Sequence, residues 1–327
     1  MIRFKRSRLC CTVAGVLAFL LPSSLFAQAY PAKPVRWIIP YAAGGSADTR
    51  ARQVSHELAK LWGQTIVIEN KPGAGAVPGT DFITKAAPDG YTIGMGNLAP
   101  LAVNPSLYRA MPYDPIKDIA PIVLLERGPL VLMVNLSLPV KSVAELTALA
   151  KARPGTLSFA SSGSGGSHHL SGEMYKAMTG IDIVHIPYKG GAPAASDLIG
   201  GHVSMMFELM YSAMPSLKSG KVRPLAVTSA QRLAVLPEVP TMAEAGLPGF
   251  ESSNWQGIIA PAATPRAIVT KINSDTNKVL NMPEVREKII AQGNQVGGGT
   301  PEEFGALIQS EMIKWGKVVR EAGVRAD

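Results

Sequence analysis

The chain has 327 residues with 32 Lys and Arg against 24 Asp and Glu, a formal net charge of +8. That charge is not gathered into a basic run or an aromatic-interleaved patch, so nucleic acid is not implied as a partner. No stretch reaches the ~20 apolar residues of a membrane span, and the length suits two domains of ordinary size.

Arg3, Lys5, Arg6 and Arg8 precede an apolar run from Leu9 to Leu21, which Pro22, Ser23 and Ser24 interrupt. Ala27-Gln28-Ala29 then supplies small residues for signal-peptidase cleavage after Ala29, so residues 1–29 read as a secretory signal peptide. Its removal lowers the net charge to +4 and takes away Cys10 and Cys11, the only cysteines. The mature chain is expected in the periplasm as a soluble monomer, held together by its core and not by disulfides.

From Tyr30 onward, short apolar runs alternate with helix-period segments. Val35 to Pro40 reads as a buried strand, followed by a glycine turn and a helix bearing Ala51, Val54, Leu58 and Leu61 on one face. Gly63 stops that helix, and Thr65 to Ile68 and Tyr91 to Met95 are the next strands. The apolar segment Ile122 to Val134 crosses to a second unit, where the pattern restarts. Leu157 to Ala160 is a strand, followed by a second glycine turn and a helix with Leu170, Met174, Ala177 and Met178. Ile183 to Ile186, Val203 to Phe207 and Leu225 to Val227 are further strands, and Trp255 to Pro261 crosses back. Pro301 to Gly323 is an amphipathic helix, capped by Thr300 and expected to pack on the first unit. The alternation predicts an α/β fold with parallel sheets and helices on both faces. Two crossings divide it into lobe 1 (residues 30–127 and 251–327) and lobe 2 (residues 128–250).

In open α/β sheets, ligands bind at the carboxyl ends of strands, where helix N-termini favour anions. Two glycine turns have that placement. The first is Tyr41-Ala42-Ala43-Gly44-Gly45-Ser46-Ala47-Asp48, the second Ser161-Ser162-Gly163-Ser164-Gly165-Gly166-Ser167-His168-His169. The competing reading is that the glycines only make tight turns and Asp48 only stabilises the first helical turn. Neither turn carries a dinucleotide fingerprint, a phosphate-loop Gly-Lys-Ser/Thr or a Gly-x-Ser-x-Gly elbow. His168 and His169 point in different directions on a helix and have no carboxylate or cysteine at metal-ligand spacing, so neither a metal nor a cofactor is expected. Lys189, in Pro187-Tyr188-Lys189-Gly190-Gly191, is a candidate partner for a carboxylate. Asn97 is a candidate amide donor from lobe 1, and Glu208 a candidate partner for a ligand amine. An enzyme of organic acids would need a nucleophile–base pair or a metal, and the sequence displays neither.

Taken in order, several short motifs resemble the receptors of tripartite tricarboxylate transporters, often called Bug receptors. They include Tyr30-Pro31-x-Lys33-Pro34-Val35, Gly44-Gly45-x-x-Asp48, Glu69-Asn70-Lys71-Pro72-Gly73-Ala74-Gly75 and Ala87-Pro88-Asp89-Gly90-Tyr91-Thr92. Pro187-Tyr188-Lys189-Gly190, Leu236-Pro237-Glu238-Val239-Pro240-Thr241 and Trp255-x-Gly257-x-x-Ala260-Pro261 continue the series across the mature chain. The resemblance implies a type II periplasmic binding protein-like fold, two α/β lobes joined by crossing strands with a ligand cleft between them. It also implies a small carboxylate held between the glycine loops by backbone N–H groups and water, without catalysis, and passed to the membrane subunits of a secondary transporter. On this chain that carries over to Gly44, Gly45 and Asp48, and to Gly163, Ser164, Gly165 and Ser167, while His169 matches the histidine that the family places before the helix leucine and His168 falls where the family varies. Tyr41, Ala43, Ser46, Ser162 and His168 are candidate contacts from their place in the two turns. Two positions depart from the family pattern: Ala42-Ala43 where a proline is usual, and Ala76 where a glycine is frequent. A periplasmic sensor for a signalling partner is the alternative role.

Overall fold

The computed structural model describes Met1, residues 30–188 and residues 191–325. The expected signal peptide and Lys189 lie outside the described residues.

Lobe 1 begins with β1 (Val35–Ile39), α1 (Ser46–Trp62), β2 (Ile66–Asn70), α2 (Val77–Thr84) and β3 (Thr92–Asn97). β1 lies between β2 and β3, parallel to both. Ala47, Ala51, Val54 and Leu58 turn one face of α1 onto Val35, Trp37 and Ile39 of the sheet. Burying a leucine or valine there contributes about 1.5–3 kcal/mol. The expected stripe ends differently: Leu61 is exposed, and Trp62, four residues after Leu58, continues it with its indole N–H on Asp275 at 2.9 Å. Gly63 closes the helix with φ +61, as expected for a glycine stop.

A helical turn (Ala99–Val103) and α3 (Asn104–Leu107) lead to β4 (Ile119–Asn135). This 17-residue strand belongs to both lobes. Residues 119–129 pair antiparallel with β9 (Ser253–Pro261), and residues 130–135 pair with lobe 2 strands. Lobe 2 contains α4 (Val143–Ala152), β5 (Ser158–Ser161), α5 (Ser167–Thr179), β6 (Val184–Pro187), α6 (Gly191–Gly200), β7 (Met205–Leu209), α7 (Met210–Lys218) and β8 (Val222–Val227). There β5 lies between β6 and β7, parallel to both, while β7 and β8 flank β4 antiparallel. Parallel pairing is therefore confined to the outer strands of each lobe. The strand that leaves a lobe and the one that returns run side by side in opposite directions, so the middle is antiparallel. Thr228 closes the seam: its hydroxyl accepts from Leu130 N at 2.8 Å and donates to Ser252 O at 2.6 Å.

Chain return brings α8 (Arg266–Leu280), α9 (Pro283–Ala291), β10 (Gln295–Gly298) and α10 (Pro301–Ala322). Thr300 and Glu303 form the expected capping box at the start of α10. Its packing departs from the expectation, because α10 lies against α3 and the 99–103 turn of lobe 1 and also against α5 of lobe 2. Trp315, Val318 and Val319 accordingly share one apolar cluster with Leu107, Leu170 and Met174. In α5 the whole run Ser167–Tyr175 is buried, whereas Ala177 and Met178, expected on the inner face, are exposed. A helix enclosed between a sheet and another helix has no solvent face in its first two turns, so periodicity alone misplaces its stripe.

Candidate functional site

The first glycine loop joins β1 to α1. Gly44 takes φ +82, a left-handed conformation suited to glycine, and its N–H donates to Asp48 Oδ2 at 3.0 Å. Asp48 is buried, is paired with Arg52 through two nitrogens at 2.9 and 3.0 Å, and accepts from Asn70 Nδ2 at 3.0 Å. The Arg52 guanidinium, helped by Gly44 N–H and Asn70, holds its carboxyl down at about 2. Asn70 also donates to Tyr41 O, and Tyr41 Oη donates to Asn97 Oδ1 at 2.6 Å, so strand ends β2 and β3 brace the loop.

The second loop joins β5 to α5 on the same plan. Gly165 takes φ +80 and its N–H donates to His169 Nδ1 at 3.0 Å, so the ring is the Nε2–H tautomer. Burial pushes the His169 imidazole down to about 3, and the ring stacks on His185 with centroids 3.8 Å apart. His185 Nε2 lies 2.6 Å from Ser161 Oγ, which accepts from Gly163 N. The two adjacent histidines diverge as expected: His168 Nδ1 lies 2.9 Å from Ser162 Oγ, and its Nε2 lies 2.9 Å from Glu208 Oε1.

Gly44-Gly45-Ser46-Ala47-Asp48 and Gly165-Gly166-Ser167-His168-His169 are thus structural counterparts. The N-cap residues are Gly45 (φ −75, ψ 174) and Gly166 (φ −82, ψ 171), and neither helix has a side-chain cap. These are dihedrals that any residue adopts. Among the described residues, a Cβ on Gly45 would have Ala42 O at 3.6 Å as its one neighbour within 4 Å, and one on Gly166 would have none. Packing among the described residues therefore leaves room before both N-cap glycines.

Several sequence expectations are refined by these bonds. The N–H groups of Gly44, Gly163 and Gly165 are engaged inside their own loops, so these glycines shape the site and are not its free donors. The first-turn donors that precede the internal helix bonds belong to Ser46, Ala47 and Asp48 and to Ser167, His168 and His169. Ala43 and Ser164 are exposed on the two loops, and Asn97 is buried behind Tyr41. Glu208 is buried, and its Oε1 is engaged by His168 and by Leu209 N–H.

Gln256 escaped the sequence reading. It stands on β9 opposite both Asn97 and Glu126, is buried, and donates Nε2–H to Ser46 Oγ at 3.1 Å. Ser46 keeps its own hydroxyl hydrogen, and Gln256 Oε1 has no partner among the described residues. A glutamine inside the apolar segment Trp255 to Pro261 was the available signal. Beneath α1, Arg50 and Glu126 form a buried ion pair at 2.6 Å, with Asn294 Nδ2 on the same carboxylate oxygen at 2.7 Å. Both loops are anchored on β4: Gln256 faces Glu126, and Glu208 faces Val131. Five residues of strand separate those anchors by roughly 17 Å.

Comparison with known proteins agrees with this architecture. The model of the Tripartite tricarboxylate transporter family receptor matches residues 50–324. Protein BugT of Bordetella pertussis is 40% identical over 300 residues, covering 91% of this chain and 92% of its own. The structure of R. palustris Rpa4515 with adipate has a TM-score of 0.81 at 38% identity, covering 90% of this chain and 99% of that one. MatC from Rhodopseudomonas palustris with bound malate has a TM-score of 0.77 at 33% identity, covering 89% and 100%. Two α/β lobes linked by crossing strands are the type II periplasmic binding protein-like fold, and the chain belongs to the tripartite tricarboxylate transporter receptor family.

Proposed function

We propose that this protein is an extracytoplasmic receptor that holds a small carboxylate between the N-termini of α1 and α5 and delivers it to the membrane subunits of a tripartite tricarboxylate-type transporter. The observation that carries the reading is the matched pair of uncapped Gly-Gly-Ser helix starts, one per lobe, each with open space before its N-cap glycine. A helix N-terminus offers N–H donors and partial positive charge, which suits an anion. Structures of two relatives, with adipate and with malate, support a carboxylate as the ligand class. Export to the periplasm is supported by the charged, apolar and small-residue order of residues 1–29.

Calorimetric titration of the mature protein tests this. Adipate or malate is expected to bind. The corresponding diamide loses charge-assisted hydrogen bonds of about 1.5–3 kcal/mol each, so two losses weaken it roughly a hundredfold or more. Equal affinity for the diamide, or turnover of the acid, would remove the reading.

A further inference from the structure

Building on that receptor reading, we propose that Ser162, His168 and Glu208 form a proton-coupled selectivity relay, in which an anionic group seated at Ser162 is captured together with one proton taken up by His168. The three residues are the one that follows β5, the second of α5 and the penultimate of β7. Ser162 Oγ and Glu208 Oε1 lie on opposite edges of the imidazole, each at 2.9 Å. Glu208 Oε1 also accepts from Leu209 N at 2.9 Å, so that oxygen is an acceptor and His168 Nε2 carries a hydrogen.

Nδ1 then decides what Ser162 can do. On the neutral ring Nδ1 is a lone pair, and Ser162 donates its single hydroxyl hydrogen to it. The hydroxyl then presents only lone pairs to the start of α5, which repels an anion and accepts from a neutral donor. On the imidazolium, Nδ1–H donates to Ser162 Oγ, and the hydroxyl hydrogen is released to bond a carboxylate. An anion therefore favours the protonated ring, and by reciprocity protonation favours the anion by the same factor.

The ring thus stands between the Glu208 carboxylate and the Ser162 hydroxyl at the second residue of α5, one hydrogen bond from the seat of the anion. Among the described residues, other titratable groups on α5 and the elements packed against it have their own partners. His185 on β6 bonds Ser161 and stacks on His169, Glu173 on α5 pairs with Lys176, and Glu311 on α10 pairs with Lys314 and Trp315. Gly191 at the start of α6 is close to Glu208 Oε2, since a Cβ there would lie 3.0 Å from that oxygen.

Nitrogen-15 spectra of histidine-labelled, ligand-free protein test the relay itself. His168 is expected as the Nε2–H tautomer when neutral, and an Nδ1–H tautomer would overturn the proposal. At a pH where those spectra show the ring neutral, adipate and malate are then titrated in two buffers of different ionisation enthalpy. Uptake approaching one proton per ligand is expected, with Kd weakening up to about tenfold per pH unit. Ser162→Ala and His168→Asn are expected to bind more weakly and without proton uptake. Binding with no uptake in the natural protein, or uptake that survives in His168→Asn, sinks the coupling alone. Failure of both acids to bind would strike the receptor reading and this coupling with it.

Discussion

Asp48 and His169 are the third residues of α1 and α5, and each accepts the N–H of the glycine four positions earlier at the same distance, 3.0 Å. A charged carboxylate and a neutral imidazole thus perform one task in the two lobes, fixing the turn that aims a helix start. The chemistry differs because the neighbours differ. Asp48 has Arg52 beside it, whereas His169 is enclosed by Phe159 and His185.

Asp48 leads to an acid-side prediction. Its carboxyl is held at about 2, below the ordinary aspartate value of about 3.9, so ionisation stabilises the folded state. That contribution is complete above the ordinary value and disappears as pH falls through about 2. The stability difference between the natural protein and Asp48→Asn should be constant from neutral pH to about pH 5 and shrink below pH 4. Urea midpoints across that range measure it, and a difference that shrinks already near pH 6 would contradict the assignment.

For the histidines the window lies higher. Burial lowers His169 to about 3 and His185 to about 4, both below the ordinary value near 6.5. The unfolded chain then binds protons that the folded chain refuses, so stability is full above about pH 6.5 and falls as pH drops towards 4. His169→Asn keeps an oxygen for Gly165 N–H and removes one titrating ring. Its melting temperature should vary less between pH 7 and 4 than that of the natural protein, and parallel curves would refute the claim.

Two adjacent glycines should separate folding from binding. Gly44 at φ +82 is strained by any side chain, so Gly44→Ala should cost about 1–2 kcal/mol in chemical denaturation. Gly45 has ordinary dihedrals and room for a methyl group, so Gly45→Ala should stay within about 0.5 kcal/mol in stability while weakening ligand. Gly165 would be a poor choice for this test, because a Cβ there also overlaps Leu107 Cδ2.

Removing half of the buried Arg50–Glu126 pair should be costly. Glu126→Ala leaves the buried Arg50 charge without a counter-ion, held among the described residues only by Gln53 and Gln292, and Asn294 Nδ2 without its acceptor, so a loss of about 3–5 kcal/mol is expected. The double replacement Arg50→Met with Glu126→Leu should recover much of that loss. Urea unfolding of the three proteins decides it, and a harmless Glu126→Ala would show that water reaches the pair.

Much of the lobe architecture was legible because its signals are local. The strand runs, the stop at Gly63 and the Thr300 cap each lie within a few residues of their effect. Both glycine turns were legible too, since Gly-Gly-Ser before an amphipathic segment is a compact pattern. What stayed hidden depends on residues distant in sequence. Ser162, His168 and Glu208 meet only after β5 and β7 pair, and Ser46 meets Gln256 only after the chain has crossed twice. Ala76 shows the converse: the departure from a frequent glycine was visible, but that the position suits glycine because of φ +64 needed the backbone.

The double allegiance of α10 restricts how such a cleft opens. Swinging α5 away from Trp315, Val318 and Val319 would wet a dry apolar seam, and every 200 Å² so exposed costs about 5 kcal/mol. Wide jaw-like parting is disfavoured on that side. Sliding of α5 along α10 keeps the seam closed while shifting the lobe 2 donors relative to those of α1, so access through small shear displacements fits this helix better than a large hinge.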